Sequence, residues 1–228
     1  MTEDGSYDPP ALHVALIIDG NRRWAHSRGL SVNEGHEAGA DTLKARVLDA
    51  AELGIGELSV YSLSTENWAR PVEEVLALTA ILAKRISSET PQLHRQGVRM
   101  RFIGRHDGLS EELVEQMRRA EALTEENRRM ILFIALNYGG RREIMDAAKR
   151  FDGSTEEDFR KCLYAPEMED PDLIIRTGGE QRLSNYMLWQ AAYSEFVFCE
   201  DLWPDFTRAG LEQTLNEFAE RRRRFGRR

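Results

Sequence analysis

Apolar runs of strand length alternate along this chain with longer segments in which apolar residues recur at helical spacing. Strands are predicted over residues 13–19, 57–63, 98–103, 130–136, 173–176 and 195–198, and helices over 33–53, 71–96, 110–126, 141–151, 155–163, 186–192 and 207–224. A helix that joins two strands of one sheet forms a crossover and leaves those strands parallel. The alternation therefore predicts an α/β fold with a mostly parallel six-stranded sheet and helices on both faces.

Length and composition are typical of one globular domain. The chain has 228 residues, and we expect a loose tail over 1–11 followed by a single domain over 12–228. The net charge is −8 and the pI is about 5.3. We expect no nucleic-acid partner, because affinity for a phosphate backbone requires a basic face.

Cysteine usage and hydropathy exclude further classes of protein. Cys162 and Cys199 form neither a disulfide framework nor a metal-ligand spacing. The amino terminus is acidic and polar and has no apolar signal core, which favours a cytoplasmic location. We expect no membrane span, because no apolar run approaches the required length.

Polar clusters follow four of the predicted strands at the point where each strand ends. They are Asp19–Asn21, Ser64–Arg70, Asn137–Arg141 and Arg176–Ser184. In parallel sheets, ligands bind beyond the carboxyl ends of the strands. Each cluster taken alone could be an ordinary solvated turn, but their position at one edge favours a single binding site.

The residue types in these clusters favour an anion with several oxygen atoms. The candidates at this edge are Asp19, Arg22, Arg23, His36, Asn67, Trp68, Arg70, Arg176, Arg182 and Ser184, with Glu195 as a further candidate. Arginines and a hydroxyl group suit a diphosphate. The carboxylates of Asp19 and Glu195 would repel that anion unless a cation, most simply Mg²⁺, lay between them.

Other phosphate-binding and catalytic motifs are absent from the sequence. There is no glycine-rich run with Lys-Ser/Thr, no G-x-G-x-x-G after a strand and no nucleophile elbow around Ser64, Ser184 or Cys162. The apolar stripe Val75–Ile86 is either an ordinary core stripe or one wall of an apolar tunnel. A tunnel that opened at a diphosphate site would suggest isoprenoid substrates.

The chain resembles the cis-prenyltransferases, the undecaprenyl diphosphate synthase family, over about residues 12–226. The motifs that carry the resemblance are Asp19-Gly20-Asn21-Arg22-Arg23-Trp24-Ala25, Gly35-His36-x-x-Gly39, Ser64-Thr65-Glu66-Asn67-Trp68-x-Arg70-Pro71, Asn137-Tyr138-Gly139-Gly140-Arg141, Ile175-Arg176-Thr177-Gly178-Gly179-Glu180-x-Arg182-Leu183-Ser184-Asn185 and Leu202-Trp203-Pro204-Asp205-Phe206. So many ordered motifs at matching spacing form a specific signal.

The resemblance implies a Mg²⁺-dependent enzyme that couples an allylic isoprenyl diphosphate with a second C5 diphosphate and releases diphosphate. It implies that Asp19 and Glu195 bind Mg²⁺ and that the allylic diphosphate lies among Gly20, Asn21, Arg22, Arg23, Trp24 and His36. It further implies that Arg176, Arg182, Leu183 and Ser184 hold the second diphosphate, and that Ser64, Thr65, Glu66, Trp68 and Arg70 surround the catalytic Asn67. In the family this asparagine is assigned as proton acceptor. Asparagine is a poor base, so a diphosphate oxygen or a water held by Asn67 is an alternative.

The resemblance also implies a homodimer. Arg224 and Gly226 match a terminal R-x-G motif that reaches the active site of the partner subunit. Peripheral contact with a membrane is expected at most, and only for a long product.

Three departures from the family pattern bear on the product. Many members have a basic residue where this chain has Val32, and Arg22 or Arg28 are candidates to replace it. The stretch from Phe151 to Asp172 is short, and β-strand two ends in Tyr61-Ser62-Leu63. We therefore expect a short or irregular product, such as the head-to-middle coupling of two dimethylallyl diphosphates. The alternatives are a long-chain undecaprenyl or decaprenyl diphosphate synthase, a non-catalytic subunit and a phosphate-sensing module.

Overall fold

The computed structural model describes residues 12–221. Its strands are β1 (His13–Ile17), β2 (Glu57–Ser64), β3 (Val98–Ile103), β4 (Met130–Tyr138), β5 (Leu173–Arg176) and β6 (Glu195–Phe198). They form one sheet in the order β3-β4-β2-β1-β5-β6, and every pairing is parallel. The predicted six-stranded parallel sheet is confirmed. The carboxyl ends of all these strands therefore lie at one edge.

The helices within the described part of the chain are α1 (Asn21–Ser27), α2 (Val32–Glu52), α3 (Val72–Arg95), α4 (Glu111–Thr124), α5 (Gly140–Ala148), α6 (Glu156–Arg160) and α7 (Arg208–Glu220). Hydroxyl side chains fix several of their first turns. Ser110, Thr155 and Thr207 each accept a backbone N–H as N-caps, and Ser31 forms a capping box with Glu34.

Alternate residues of the strands face two separate apolar layers. Val14 and Leu16 of β1 pack with residues of α2, α3, α4 and α7. Ala15 and Ile17 pack on the opposite face with Tyr138, Tyr186 and their neighbours. Since successive side chains of a strand point to opposite faces, a strand that is buried on both sides reads as the continuous apolar run seen in the sequence.

The structure corrects several predicted elements. Residues 21–27 form α1 where only a turn was expected, because a helix of this length shows no apolar period. The predicted loop over 64–70 contains a 3₁₀ turn at Thr65–Ala69, and the helix predicted over 186–192 is a 3₁₀ turn at Gln190–Tyr193. The predicted tail over 1–11 and the terminal residues from 222 onward, including Arg224 and Gly226, lie outside the described residues.

Candidate active site

A cavity of about 480 Å³ lies at the carboxyl edge of the sheet. Its walls include most of the charged and polar residues that the sequence predicts: Asp19, Gly20, Asn21, Arg22, Arg23, His36, Ser64, Asn67, Arg70, Arg176, Arg182 and Ser184. These side chains come from distant segments of the chain, and the parallel sheet brings them together.

Asp19 lies just beyond the end of β1 and places a carboxylate at the carboxyl ends of β1 and β5. One carboxylate oxygen accepts a hydrogen bond from Arg176 at 2.9 Å, and the other lies 3.3 Å from the guanidinium of Arg23. Its side chain is 31% exposed, so the carboxylate can still meet a ligand. Two arginines beside one acid leave excess positive charge for an incoming anion.

Arg176 connects three parts of the site. Its guanidinium donates to Asp19, to the hydroxyl of Ser184 at 2.8 Å and to the carbonyl oxygen of Arg182 at 2.5 Å. The side chain is 5% exposed. Ser184 and Asn185 have φ angles of 51° and 66°, and non-glycine residues seldom adopt positive φ outside functional segments. The loop is therefore held so that the Ser184 hydroxyl meets Arg176.

Close backbone approach places α1 against α2. A Cβ atom on Gly39 would lie 2.3 Å from the side-chain oxygen of Asn21, and one on Gly35 would lie 2.4 Å from its carbonyl oxygen. Gly20, which precedes α1, has a φ of 121° and lies against Leu202. Only glycine fits these positions, which explains part of the predicted motif pattern.

His36 and Glu74 link α2 to the start of α3. His36 is buried, and burial, followed by the nearby charge of Arg70, lowers its pKa. Its Nε2 lies 3.9 Å from Glu74, too far for a hydrogen bond, while Arg70 donates to Glu74 at 2.9 Å. The lowered pKa favours a neutral imidazole, whose Nε2 has no partner among the described residues.

Asn67 is fixed by its own turn. Its side-chain oxygen accepts the backbone N–H of Ser64 at 2.9 Å, and the Ser64 side chain accepts the N–H of Asn67 in return. The neighbouring Trp68 donates to the side chain of Asn137 at 2.7 Å. With Ser64 on its side-chain oxygen, Asn67 has its amide N–H groups placed to meet a ligand.

Within residues 12–221, five predicted substrate-binding residues do not line the cavity: Trp24, Thr65, Glu66, Trp68 and Leu183. Glu66 accepts from Asn185 at 2.7 Å, and Leu183 packs on the apolar layer of Tyr186. Their contacts support the loops that carry the lining residues.

Trp24 and Arg28 face away from the cavity. Trp24 donates to Asp205 at 2.8 Å, and the Arg28 guanidinium lies 4.4 Å from the Trp24 ring while it pairs with Asp205. Arg28 is thus committed elsewhere and does not replace a basic side chain at Val32. A smaller cleft lies beside Val32, lined by Arg22, Arg23, His26, Leu30 and Val32.

Glu195 lies at the amino edge of the sheet, where the strands begin, and not at the carboxyl edge that carries the cavity. It is the first residue of β6 and pairs with Leu173 at the start of β5, whereas Asp19 follows the last paired residues, Ile17 and Arg176. The Glu195 carboxylate accepts from Arg221 at 3.0 Å. Within one chain Glu195 therefore cannot share an ion with Asp19. Among residues 12–221, no cluster of three or more His, Cys, Asp or Glu side chains could hold a metal.

The donor set nevertheless fits Mg²⁺ that arrives with a diphosphate. Mg²⁺ is commonly held by one or two carboxylates together with phosphate oxygens and water, rather than by an all-protein cage. Asp19 supplies one carboxylate that opens to the cavity, and the surrounding arginines suit the diphosphate.

One wall of the cavity is apolar. Leu43 of α2 and Leu78, Ile81 and Leu82 of α3 line it, while Val75 and Ile86 of the same stripe are buried. α3 therefore contributes both core residues and part of the cavity wall.

A sequence profile of the undecaprenyl diphosphate synthase family matches residues 17–226. The chain belongs to this family of prenyltransferases. An isoprenyl transferase from Thermotoga maritima is 49% identical over 94% of this chain and 96% of the relative. A trans,polycis-polyprenyl diphosphate synthase from Thermobifida fusca, specific for (2Z,6E)-farnesyl diphosphate, is 43% identical over 94% of this chain and 80% of the relative.

A solved prenyltransferase structure shares the fold. Lavandulyl diphosphate synthase from Lavandula x intermedia, crystallised with dimethylallyl diphosphate, superposes with a TM-score of 0.91 at 37% identity, over 94% of this chain and 98% of that one. The predicted fold class and enzyme class are confirmed. No helix within the described residues is long and apolar enough to cross a membrane.

Sequence reasoning missed several residues of this prenyltransferase site. Tyr61 and Ser62 line the cavity, and the Tyr61 hydroxyl donates to the carbonyl oxygens of Tyr138 and Ser184 at 3.2 and 3.3 Å. Thr177 contacts the backbone of Asp19. Thr177 stands next to Arg176 in a recognised motif, and that position is the signal that could have pointed to it. Its hydroxyl contacts with the distant backbone of Asp19 leave no pattern of their own in the sequence.

Proposed function

We propose that this prenyltransferase couples an allylic isoprenyl diphosphate with a second C5 diphosphate in a Mg²⁺-dependent reaction that releases diphosphate. The observation that carries the proposal is the cavity itself: Asp19 and arginines gather on one side, and Leu78, Ile81 and Leu82 form an apolar wall on the other. A diphosphate head and an isoprenyl chain have this same division of polarity.

The charges of the site suggest how the chain favours ionisation of the allylic substrate. Departure of diphosphate concentrates negative charge on its oxygens, and preorganised arginines stabilise that charge. Arg22 and Arg23 line the cavity beside Gly20 and Asn21. Bound at Asp19, Mg²⁺ would supply further electrostatic stabilisation of the leaving group.

Arg176, Arg182 and Ser184 are proposed to hold the second diphosphate. The network that ties Arg176 to Ser184 orients these donors before substrate arrives, so less conformational entropy is lost on binding. The double bond of the second substrate then attacks the allylic cation, and a proton is lost. Asn67 would orient the proton-accepting group, a diphosphate oxygen or a water, through its amide N–H groups.

The product is proposed to be short or irregular. The high structural similarity to lavandulyl diphosphate synthase favours this assignment, as does the small apolar side chain of Val32 beside Arg22 and Arg23. The long-chain alternative is favoured by the similarity to the polyprenyl diphosphate synthase of Thermobifida fusca. The apolar tunnel predicted for the isoprenyl chain remains part of the proposal, and its depth would set the length of the product.

Product analysis separates these two functions. The enzyme would be incubated with Mg²⁺ and dimethylallyl diphosphate alone, and then with isopentenyl and farnesyl diphosphates. A C10 product from dimethylallyl diphosphate alone supports irregular coupling. Absence of C10 product excludes that reaction, and a ladder that extends to C50 or C55 excludes a short product.

Asp19→Ala tests the catalytic assignment itself. We expect near-complete loss of diphosphate release, because the variant lacks the one carboxylate positioned for Mg²⁺ and unbalances Arg23 and Arg176. Glu115→Ala, on the exposed surface of α4, is the matched control and should retain wild-type turnover. Activity of Asp19→Ala within about tenfold of wild type would mean that Asp19 is not the proposed metal ligand.

The proposed roles of Glu195 and of the homodimer are linked. Since Glu195 lies at the opposite edge from Asp19 in one chain, any part it takes in binding Mg²⁺ requires a second copy of the chain. Glu195→Gln would then reduce turnover. Mixed with Asp19→Ala, it would restore part of the activity in the heterodimer.

A further inference from the structure

The hydroxyl group of Thr177 forms two hydrogen bonds with the backbone of one residue, Asp19. The Asp19 N–H donates to Thr177 Oγ1 at 3.0 Å, and Thr177 Oγ1 donates to the Asp19 carbonyl oxygen at 2.8 Å. Thr177 is 1% exposed, so it does not itself meet a substrate. A single hydroxyl thus satisfies both polar groups of the residue that carries the catalytic carboxylate.

The position of this contact explains why a side chain is needed. The pairing of β1 with β5 ends at Ile17 and Arg176, and Thr177 donates one more backbone N–H to Ile17 at 3.2 Å. Beyond that point β1 turns towards α1, and the backbone ladder stops. At this point the Thr177 hydroxyl bonds to the backbone N–H and the carbonyl of Asp19, which β5 no longer pairs.

Besides this hydroxyl, neighbouring groups also contact the backbone of Asp19. Trp203 N–H donates to the Asp19 carbonyl at 3.0 Å, and Gly178 approaches the same carbonyl closely. The Asp19 N–H has one other acceptor, the Ile17 carbonyl at 3.1 Å, inside a tight turn. Removal of the hydroxyl would leave the Asp19 carbonyl with Trp203 and the Asp19 N–H with Ile17, and we expect this looser hold to let the carboxylate shift relative to Arg176.

We propose that Thr177 is a positioning residue, whose hydroxyl fixes the direction of the Asp19 carboxylate for binding of Mg²⁺ and diphosphate. This inference rests on the proposed function of Asp19. It predicts that loss of the hydroxyl weakens binding of the metal–diphosphate pair even though Thr177 contacts neither.

The chain offers a matched control in Thr124. Its Oγ1 accepts the N–H of Met100 at 2.9 Å and donates to the carbonyl of Ala120 at 2.8 Å, and the residue is fully buried. Met100 belongs to β3, which is separated from β1 by β4 and β2. Thr124→Val therefore removes the same pair of hydrogen bonds at a distance from the cavity.

The experiment compares Thr177→Val, Thr177→Ser and Thr124→Val. For Thr177→Val we expect at least a tenfold rise in the Mg²⁺ concentration for half-maximal turnover, and at least a tenfold loss of affinity for inorganic diphosphate with Mg²⁺, measured by titration calorimetry. Thr177→Ser keeps the hydroxyl and should lie within about threefold of wild type in both measurements. Thr124→Val should match Thr177→Val in melting temperature but bind like wild type.

The outcomes separate this inference from the proposed function. If Thr177→Val binds Mg²⁺ and diphosphate as Thr124→Val does, the hydroxyl only stabilises the fold and the inference is wrong, even with Asp19→Ala inactive. If Asp19→Ala is active, the proposed role of Asp19 fails, and the inference that rests on it fails with it. Should Thr177→Val not fold, failure of Thr177→Ser to preserve affinity would overturn the inference on its own.

Discussion

At the scale of single residues, the charge balance of the cavity depends on a few pairings. Asp19 is shared between Arg23 and Arg176, and Arg176 is also bound to the Ser184 loop. Arginine suits this position because its planar guanidinium holds five N–H donors in a fixed fork, whereas the lysine ammonium is a compact charge with three rotatable donors. The same scale explains why Trp24 does not line the cavity although its motif neighbours do.

Trp24→Phe tests whether Trp24 contacts the substrate. The substitution removes the hydrogen bond to Asp205 and weakens the stack with Arg28, both on the surface. We expect the free energy of unfolding to fall by about 1 kcal/mol or less. KM for both diphosphates should stay within about twofold of wild type.

Urea denaturation and steady-state kinetics provide the two measurements. Asp205→Ala removes the same partner, so the double variant should lose less stability than the sum of the single variants. A KM that rises more than fivefold in Trp24→Phe would return this residue to the substrate site.

At the scale of elements, α1 is placed by glycines of α2 and not by its own sequence. The close approach of Gly35 and Gly39 to Asn21 brings the whole of α1 onto α2. This contact positions Arg22 and Arg23 over the cavity, because both lie in the first turn of α1. A helix without an apolar period can form here since tertiary packing supplies its stability.

Gly39→Ala should change binding more than stability. The new methyl group would displace the Asn21 side chain from its 2.3 Å approach, and we expect KM for the allylic diphosphate to rise about tenfold. The higher helix propensity of alanine, about 1 kcal/mol, offsets part of the packing cost. Gly210→Ala in α7 is the control, with Phe206 at 3.1 Å as its nearest neighbour and kinetics expected to be unchanged.

Steady-state kinetics and thermal unfolding of both glycine variants decide this prediction. If Gly39→Ala binds the allylic substrate normally, Asn21 does not depend on the packing of α1 against α2.

At the scale of the whole molecule, a second buried polar cluster lies at the amino edge of the sheet, opposite the cavity. His13 contacts the carbonyl of Glu169 at 2.7 Å and Ser59 at 2.9 Å, and Glu57 accepts from the Glu169 N–H at 3.0 Å. Burial lowers the pKa of His13 to about 4 and raises the pKa of Glu57 to about 7. The two side chains lie 3.7 Å apart, but these directions favour a neutral pair over an ion pair.

Glu57→Gln should change how stability depends on pH. Between pH 4.5 and about 7 the folded wild-type protein keeps a proton on Glu57 that the unfolded chain has released. Stability due to this group therefore falls as pH rises through that window, by at most about 3 kcal/mol. The glutamine variant does not lose this stability, so its free energy of unfolding should rise relative to that of wild type between pH 5 and pH 8.

Thermal unfolding at several pH values, with Glu115→Gln as an exposed control, measures the difference. His13 acts in the opposite direction, because its lowered pKa makes stability fall as pH drops from 6.5 towards 4. A constant difference between wild type and Glu57→Gln across pH 5 to 8 would show that Glu57 does not titrate in this range.

The sequence by itself determined the order and type of the main elements. β3, β5 and β6 were predicted to the residue, because short apolar runs between turn signals leave little choice of boundary. The sequence also determined that polar clusters follow β1, β2, β4 and β5, and hence that a site lies at the carboxyl edge. The family followed from the resemblance of the motifs in and around those clusters to the motifs of the cis-prenyltransferases.

Tertiary structure alone decided which of the predicted residues meet. Trp24 lies outside the cavity wall because it contacts Asp205 and Arg28 on the protein surface. Glu195 lies at the amino edge of the sheet, opposite Asp19, because it is the first residue of β6. Thr177 belongs to the site because its hydroxyl contacts the backbone of Asp19, 158 positions earlier in the chain. Periodicity and spacing report on neighbours along the chain, whereas the direction of a side chain depends on packing between segments that are distant in sequence.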